Sequence, residues 1–128
     1  MVDDDKDNLS LMREILRTNG FGVRTTGRGQ RALNLAREAQ PSLILLDLRL
    51  PDLDGYTVLK SLKEDSTTWD IPVVVMTGSA VVNDTKRRRV LALGAARFMS
   101  KPFSVEDLME ELEAVLWEAG RYRQDRTD

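Results

Sequence analysis

The chain has 128 residues, 41% of them hydrophobic, with 19 basic and 21 acidic side chains and a formal charge of -2. That suffices for one globular domain with a single core, and the near balance of charge gives no whole-chain argument for binding nucleic acid. Cysteine and histidine are both absent, which excludes disulfides, thiolate metal sites, histidine triads and phosphohistidine on this chain; chemistry here must run on carboxylates, hydroxyls and lysine.

In chain order, a stub at Met1-Val2 meets the acidic turn Asp3-Asp4-Asp5-Lys6-Asp7-Asn8. Leu9, Leu11, Met12, Ile15 and Leu16 then recur at helical spacing up to Asn19-Gly20, a good carboxyl cap. Phe21 to Thr25 reads as a short strand, and Arg28 to Ala39 as a helix stopped by Gln40-Pro41. Leu43-Ile44-Leu45-Leu46-Asp47 is a short apolar run of the kind buried on both faces of a parallel sheet. The turn Pro51-Asp52-Leu53-Asp54-Gly55 follows, then a helix from Gly55 to Glu64. Ile71 to Thr77 gives a second buried strand, Val82 to Leu93 a helix closed by Gly94, and Ala96 to Ser100 a strand. Ser104 to Ala119 gives the last helix, with Ser104 and Asp107 forming a capping box in which Asp replaces the usual Glu or Gln. This fivefold β-α alternation predicts an α/β, doubly wound parallel sheet with helices on both faces. Residues 1–119 are expected to form the domain and 120–128 a charged tail or linker stub. No apolar run approaches the roughly 20 residues needed to span a bilayer, the amino terminus is acidic rather than signal-like, and the expected address is the cytoplasm.

In such a sheet, ligands sit outside the carboxyl ends of the strands. Asp3-Asp4, Asp47, Thr77 and Lys101 all fall at that edge. Clustered carboxylates repel one another, and a hard divalent cation with oxygen ligands, Mg²⁺, keeps them ionised. Lys101 and Thr77 can bind phosphoryl oxygens, and a carboxylate attacking phosphorus gives an acyl phosphate, with Asp47 as nucleophile.

Val2-Asp3-Asp4-Asp5, Leu46-Asp47 with Leu50-Pro51-Asp52-Leu53-Asp54-Gly55, Met76-Thr77-Gly78 and Ser100-Lys101-Pro102-Phe103 together resemble the motifs of the response-regulator receiver domain of two-component signalling, the chemotaxis-type single-domain form. The match runs in order from Val2 to about Leu116. The resemblance implies a flavodoxin-like five-stranded sheet ordered 2-1-3-4-5, here with a truncated first strand. It also implies a phosphoryl group passed to Asp47 from a histidine kinase or histidine phosphotransfer protein. By the same match, Asp4, Asp47 and the Arg49 main-chain carbonyl would ligate Mg²⁺, and Asp3 would act mostly through water. Thr77 and Lys101 would contact the phosphoryl oxygens, and Lys101-Pro102 would be a cis peptide. Thr77 and Phe98 would form a switch that reshapes the face of the fourth helix, fifth strand and fifth helix, where a downstream protein docks. The protein would be a phosphoacceptor catalysing only its own phosphorylation and dephosphorylation, with no nucleic-acid or membrane partner.

Three readings compete. A haloacid-dehalogenase-type phosphohydrolase also uses Asp, Thr and Lys, but it needs a second Asp two residues after the nucleophile, where Arg49 stands. A pseudo-receiver would be a binding module that takes no phosphate, a reading the short first strand favours. A third reading makes the chain the receiver fragment of a larger regulator or hybrid kinase. Arg49 and Ser79 flank the site as candidates for tuning the acyl phosphate. Arg87-Arg88-Arg89 spread over about 200° of a helix and so form no single base-reading face, and Trp69 and Trp117 are expected to pack at edges.

Overall fold

The computed structural model describes residues 1–78, 84–101 and 103–120. Five helices are present among them: α1 (Lys6–Thr18), α2 (Gly29–Ala39), α3 (Gly55–Glu64), α4 (Asp84–Ala92) and α5 (Val105–Glu118). Three strands, β1 (Ile44–Asp47), β2 (Val73–Thr77) and β3 (Arg97–Ser100), pair in parallel in the order β1-β2-β3. The expected helix start at Val82, the Ser79 position, the Lys101-Pro102 peptide and residues 121–128 lie outside the described residues.

The central strands are buried on both faces, as their unbroken apolar runs require. Ile44, Leu46, Val73 and Val75 face one side, where Ala32, Leu33 and Ala36 of α2, Val58, Leu59 and Leu62 of α3 and Val90 of α4 cover them. Leu45, Val74 and Met76 face the other, against Met12 and Leu16 of α1 and Leu108, Leu112 and Val115 of α5. This division, set by the two-residue period of the strands, is the doubly wound arrangement. On α4, the Arg89 guanidinium lies 3.8 Å from the Tyr56 ring centroid, a stack onto α3 worth about 0.5–1 kcal/mol at an exposed site. Part of the arginine run is therefore engaged within the molecule. Trp69 and Trp117 lie on the surface, 60% and 62% exposed.

The amino-terminal half of the sheet departs from the expected pattern. Val2 forms isolated parallel bridges to Leu46 on one side and Thr26 on the other, so the spatial order 2-1-3-4-5 is kept. The first strand is reduced to that residue, and Phe21 to Thr25 is not a strand. Pairing explains the difference. That segment can reach the sheet only through the first strand, and the contact consists of Met1 N–H to the Arg24 carbonyl at 2.8 Å, Thr26 N–H to the Met1 carbonyl at 3.1 Å and Asp3 N–H to the Thr26 carbonyl at 3.0 Å. With so short a neighbour, strand propensity in Phe21, Val23 and Thr25 has no ladder to join. A cavity of about 440 Å³ opens beside Met1, between Gly22–Arg24 and Leu43–Leu45.

Candidate functional site

Asp47 and Thr77 end β1 and β2, and Lys101 follows β3 directly, so parallel pairing delivers all three to one edge. Asp3 and Asp4 arrive beside them because Val2 donates to the Leu45 carbonyl at 2.8 Å and accepts from Asp47 N–H at 2.9 Å. Carboxylate oxygens of Asp3, Asp4 and Asp47 all lie within 4.8 Å of one another. Asp3 and Asp47 are buried, at 1% and 5% exposure, and Asp4 is exposed at the mouth.

The Lys101 ammonium sits between the two buried carboxylates, 2.8 Å from Asp3 Oδ2 and 2.8 Å from Asp47 Oδ2. Burial alone pulls the lysine pKa down, but the bonds to Asp3 and Asp47 outweigh it and leave the group above its ordinary value. Burial likewise raises the Asp3 carboxyl, and Lys101, the Asp5 N–H and the Asn8 side chain more than reverse that, holding it below the usual range. Lys101 is thus firmly cationic and Asp3 firmly anionic, which is what a buried carboxylate and a half-buried ammonium need to coexist. Thr77 is buried, and its carbonyl accepts from Lys101 N–H at 2.8 Å, which fixes where the lysine leaves the sheet.

The turn after Asp47 is built by Gly55 and Arg49. A Cβ on Gly55 would lie 2.4 Å from Leu48 Cα and 2.9 Å from the Asp47 carbonyl oxygen, so only glycine lets α3 start against that backbone. Arg49 enters the site through its main chain, its N–H donating to Asp47 Oδ1 at 2.9 Å, while the side chain is exposed. Phe98 stands opposite Val75 in the sheet register and lines a groove between α4 and α5 with Arg87, Leu91, Met99 and Phe103.

Two residues of the site were not singled out from sequence. Asn8 donates its side-chain amide to Asp3 Oδ2 at 2.5 Å; the Asp5-x-x-Asn8 spacing at the start of α1 was the available signal. Asp52 accepts from Gly29 N–H at 2.8 Å and Gln30 N–H at 3.0 Å, capping α2 from a distant loop. The signal there was the residue preceding α2, Arg28, whose side chain offers no acceptor.

A doubly wound α/β domain with three carboxylates and a lysine converging at the carboxyl edge of its sheet defines the flavodoxin-like class of acidic-site domains. Residues 1–113 match the response regulator receiver domain family, and the chain belongs to that family, the receivers of two-component signalling. It is 37% identical over 119 residues to the polar-differentiation response regulator DivK of Brucella anthropi, spanning 93% of this chain and 95% of that one. A CheY-like response regulator receiver domain protein from Methanospirillum hungatei superposes with a TM-score of 0.85 at 26% identity, covering 94% of this chain and 93% of its own. The receiver domain of the sensor histidine kinase PA1611 from Pseudomonas aeruginosa, solved with a magnesium ion coordinated in its active-site cleft, gives 0.81 at 28% identity, covering 91% and 93%.

Proposed function

We propose that Asp47 is the phosphoacceptor of this receiver domain. The observation that carries the reading is the Lys101 ammonium held 2.8 Å from both Asp47 and Asp3, a fixed cation beside the nucleophile and the acidic pair. A carboxylate oxygen of Asp47 attacks the donor's phosphorus, a P–O bond forms, and the P–N bond of a phosphohistidine breaks. Its electron pair returns to the donor imidazole, which takes up a proton. The chain has no histidine, so the donor is a histidine kinase or phosphotransfer protein acting in trans. Hydrolysis by water later regenerates the Asp47 carboxylate and releases inorganic phosphate, so the protein catalyses only its own loading and unloading. Lys101 and the Thr77 hydroxyl balance the charge that develops on the phosphoryl oxygens.

The donor set suits Mg²⁺: the cluster is all oxygen, two of its carboxylates are buried, and the three lie within 4.8 Å. Asp4, Asp47 and the Arg49 carbonyl would hold it, with Asp3 acting mostly through water. When bound, it neutralises the carboxylates and the incoming phosphoryl charge.

The signal leaves through the face of α4, β3 and α5. Thr77 is drawn toward the phosphoryl group, and Phe98, beside the groove between α4 and α5, repacks. That biases two arrangements of one face for a downstream protein to read. No helix among the described residues is long and apolar enough to cross a membrane, and the protein acts in the cytoplasm, with residues 1–119 as receiver and 120–128 as charged tail.

Intact-mass spectrometry after incubation with acetyl phosphate tests the reading. One added phosphoryl group is expected, dependent on Mg²⁺ and absent from Asp47→Asn. A folded chain that takes up nothing while a control receiver is labelled would make it a pseudo-receiver.

A further inference from the structure

The acidic site is assembled from the Asp3-Asp4 loop and from the end of β1 with the turn after it, and the first strand that sets them side by side has one bridged residue, Val2. Two backbone bonds, Val2 N–H to Leu45 and Asp47 N–H to Val2, are its whole contribution on that side. A second connection runs through the start of α2. The Thr26 carbonyl accepts from Asp3 N–H at 3.0 Å, and a Cβ on Gly27 would stand 3.3 Å from the Asp3 carbonyl oxygen and 3.7 Å from Asp4 Cα, so this segment lies directly on the acidic pair. Two residues later, Gly29 and Gln30 give their amides to the Asp52 carboxylate.

Asp52 belongs to the other loop, the turn from Asp47 to α3. Its position there is set by Arg49 N–H on the Asp47 carboxylate and by Gly55 N–H on the Leu48 carbonyl at 3.0 Å. Arg28, the residue preceding the helix, makes no side-chain bond to it. The two peptide amides hold the Asp52 carboxyl below its ordinary range, as expected of an anion at a helix amino terminus. The seam is tight as well: a Cβ on Gly29 would fall 3.0 Å from Leu53 Cβ and 2.7 Å from Val58 Cγ2.

We propose that Asp52 is a positioning residue for the acidic site, a brace that ties the Asp47–Arg49 turn to the start of α2 and thereby to Asp3 and Asp4. This rests on the phosphoacceptor reading above. Asp47 closes β1 and Lys101 bridges it to Asp3, but Asp4 and the Arg49 carbonyl lie on the loops; where those loops are unbraced the oxygen ligands lose their spacing, and the cation they would share binds less well. Groups bonded directly to metal ligands typically carry about tenfold to a hundredfold in metal affinity; Asp52 acts one connection further out, through Gly29 and Gln30, so the lower end of that range is expected.

The test is calorimetric titration of Mg²⁺ into the metal-free full chain, with thermal midpoints measured on the same samples. Asp65→Ala is the control, since Asp65 also makes several polar bonds, to Arg37 and Thr67, away from the site. Asp52→Ala is expected to weaken Mg²⁺ binding about tenfold, Asp52→Asn, which keeps one acceptor oxygen, by less, and Asp65→Ala not at all at a similar loss of midpoint. Unchanged Mg²⁺ affinity in Asp52→Ala, or an equal loss in Asp65→Ala, would reduce Asp52 to an ordinary helix cap. Absence of Mg²⁺ binding by the wild-type chain would overturn the phosphoacceptor reading itself, and the brace with it.

Discussion

Histidine is absent, so in a chain that starts at Met1 the group expected to titrate between pH 6 and 8 is the amino terminus. The Met1 amine donates to the Arg24 carbonyl at 2.8 Å beside the cavity at the sheet edge, and burial lowers its pKa from 8.0 to about 6. The folded state therefore binds fewer protons than the unfolded chain in that window, and stability must rise with pH from 6 to 8. The full penalty applies below pH 6 and vanishes above pH 8. Two pH units correspond to at most about 2.7 kcal/mol. Met1 keeps part of its surface in solvent, and screening brings the expected size to about 1 kcal/mol. Acetylating the terminus removes the charge while keeping an N–H for Arg24. Urea unfolding of the free and acetylated chains, in chelating buffer at half-unit steps from pH 5.5 to 8.5, measures the effect. The acetylated chain should be more stable at pH 6, by about 1 kcal/mol, with the two curves converging at pH 8. Parallel curves across that window would refute the argument.

Acid unfolding should draw on Asp65, whose carboxyl is held at about pH 2, chiefly by the Thr67 hydroxyl and N–H with Arg37 adding to them. Its contribution is complete above 3.8 and lost as pH falls through about 2, so Asp65→Asn should flatten the stability slope between pH 4 and 2 in a circular-dichroism titration. Gly55→Ala sets a Cβ against the Leu48 and Asp47 backbone, which predicts a loss of about 1–3 kcal/mol in chemical denaturation together with slower labelling of Asp47 by acetyl phosphate. Leu46, fully buried, should cost about 2–5 kcal/mol as Leu46→Ala. Lys101→Ala removes the ammonium that now bridges Asp3 and Asp47; Mg²⁺ should bind more tightly by calorimetry, while phosphoryl uptake slows about a hundredfold by time-resolved mass analysis.

What the sequence determined by itself is whatever local pattern dictates. Continuous apolar runs such as Ile44–Leu46 and Val73–Met76 can be buried only on both faces, amphipathic spacing marks the helices between them, and strands alternating with helices leave a parallel sheet as the compact solution. The carboxyl-edge site was legible for the same reason, since a residue that ends a parallel strand has its edge assigned in advance. Tertiary structure decided what depends on distant partners. Phe21 to Thr25 carries strand-forming residues yet forms no strand, because Val2, the neighbour beside it, offers only an isolated bridge. Asp52, a turn residue by sequence, became the cap of a helix 22 and 23 residues away because Arg28 offers none. Lys101 meets Asp3 across 98 residues and Asp47 across 54, a convergence that only the folded sheet brings about. The hydrogen bonds and charges of the site act over a few ångströms in space, and sequence spacing measures that distance only within a single element.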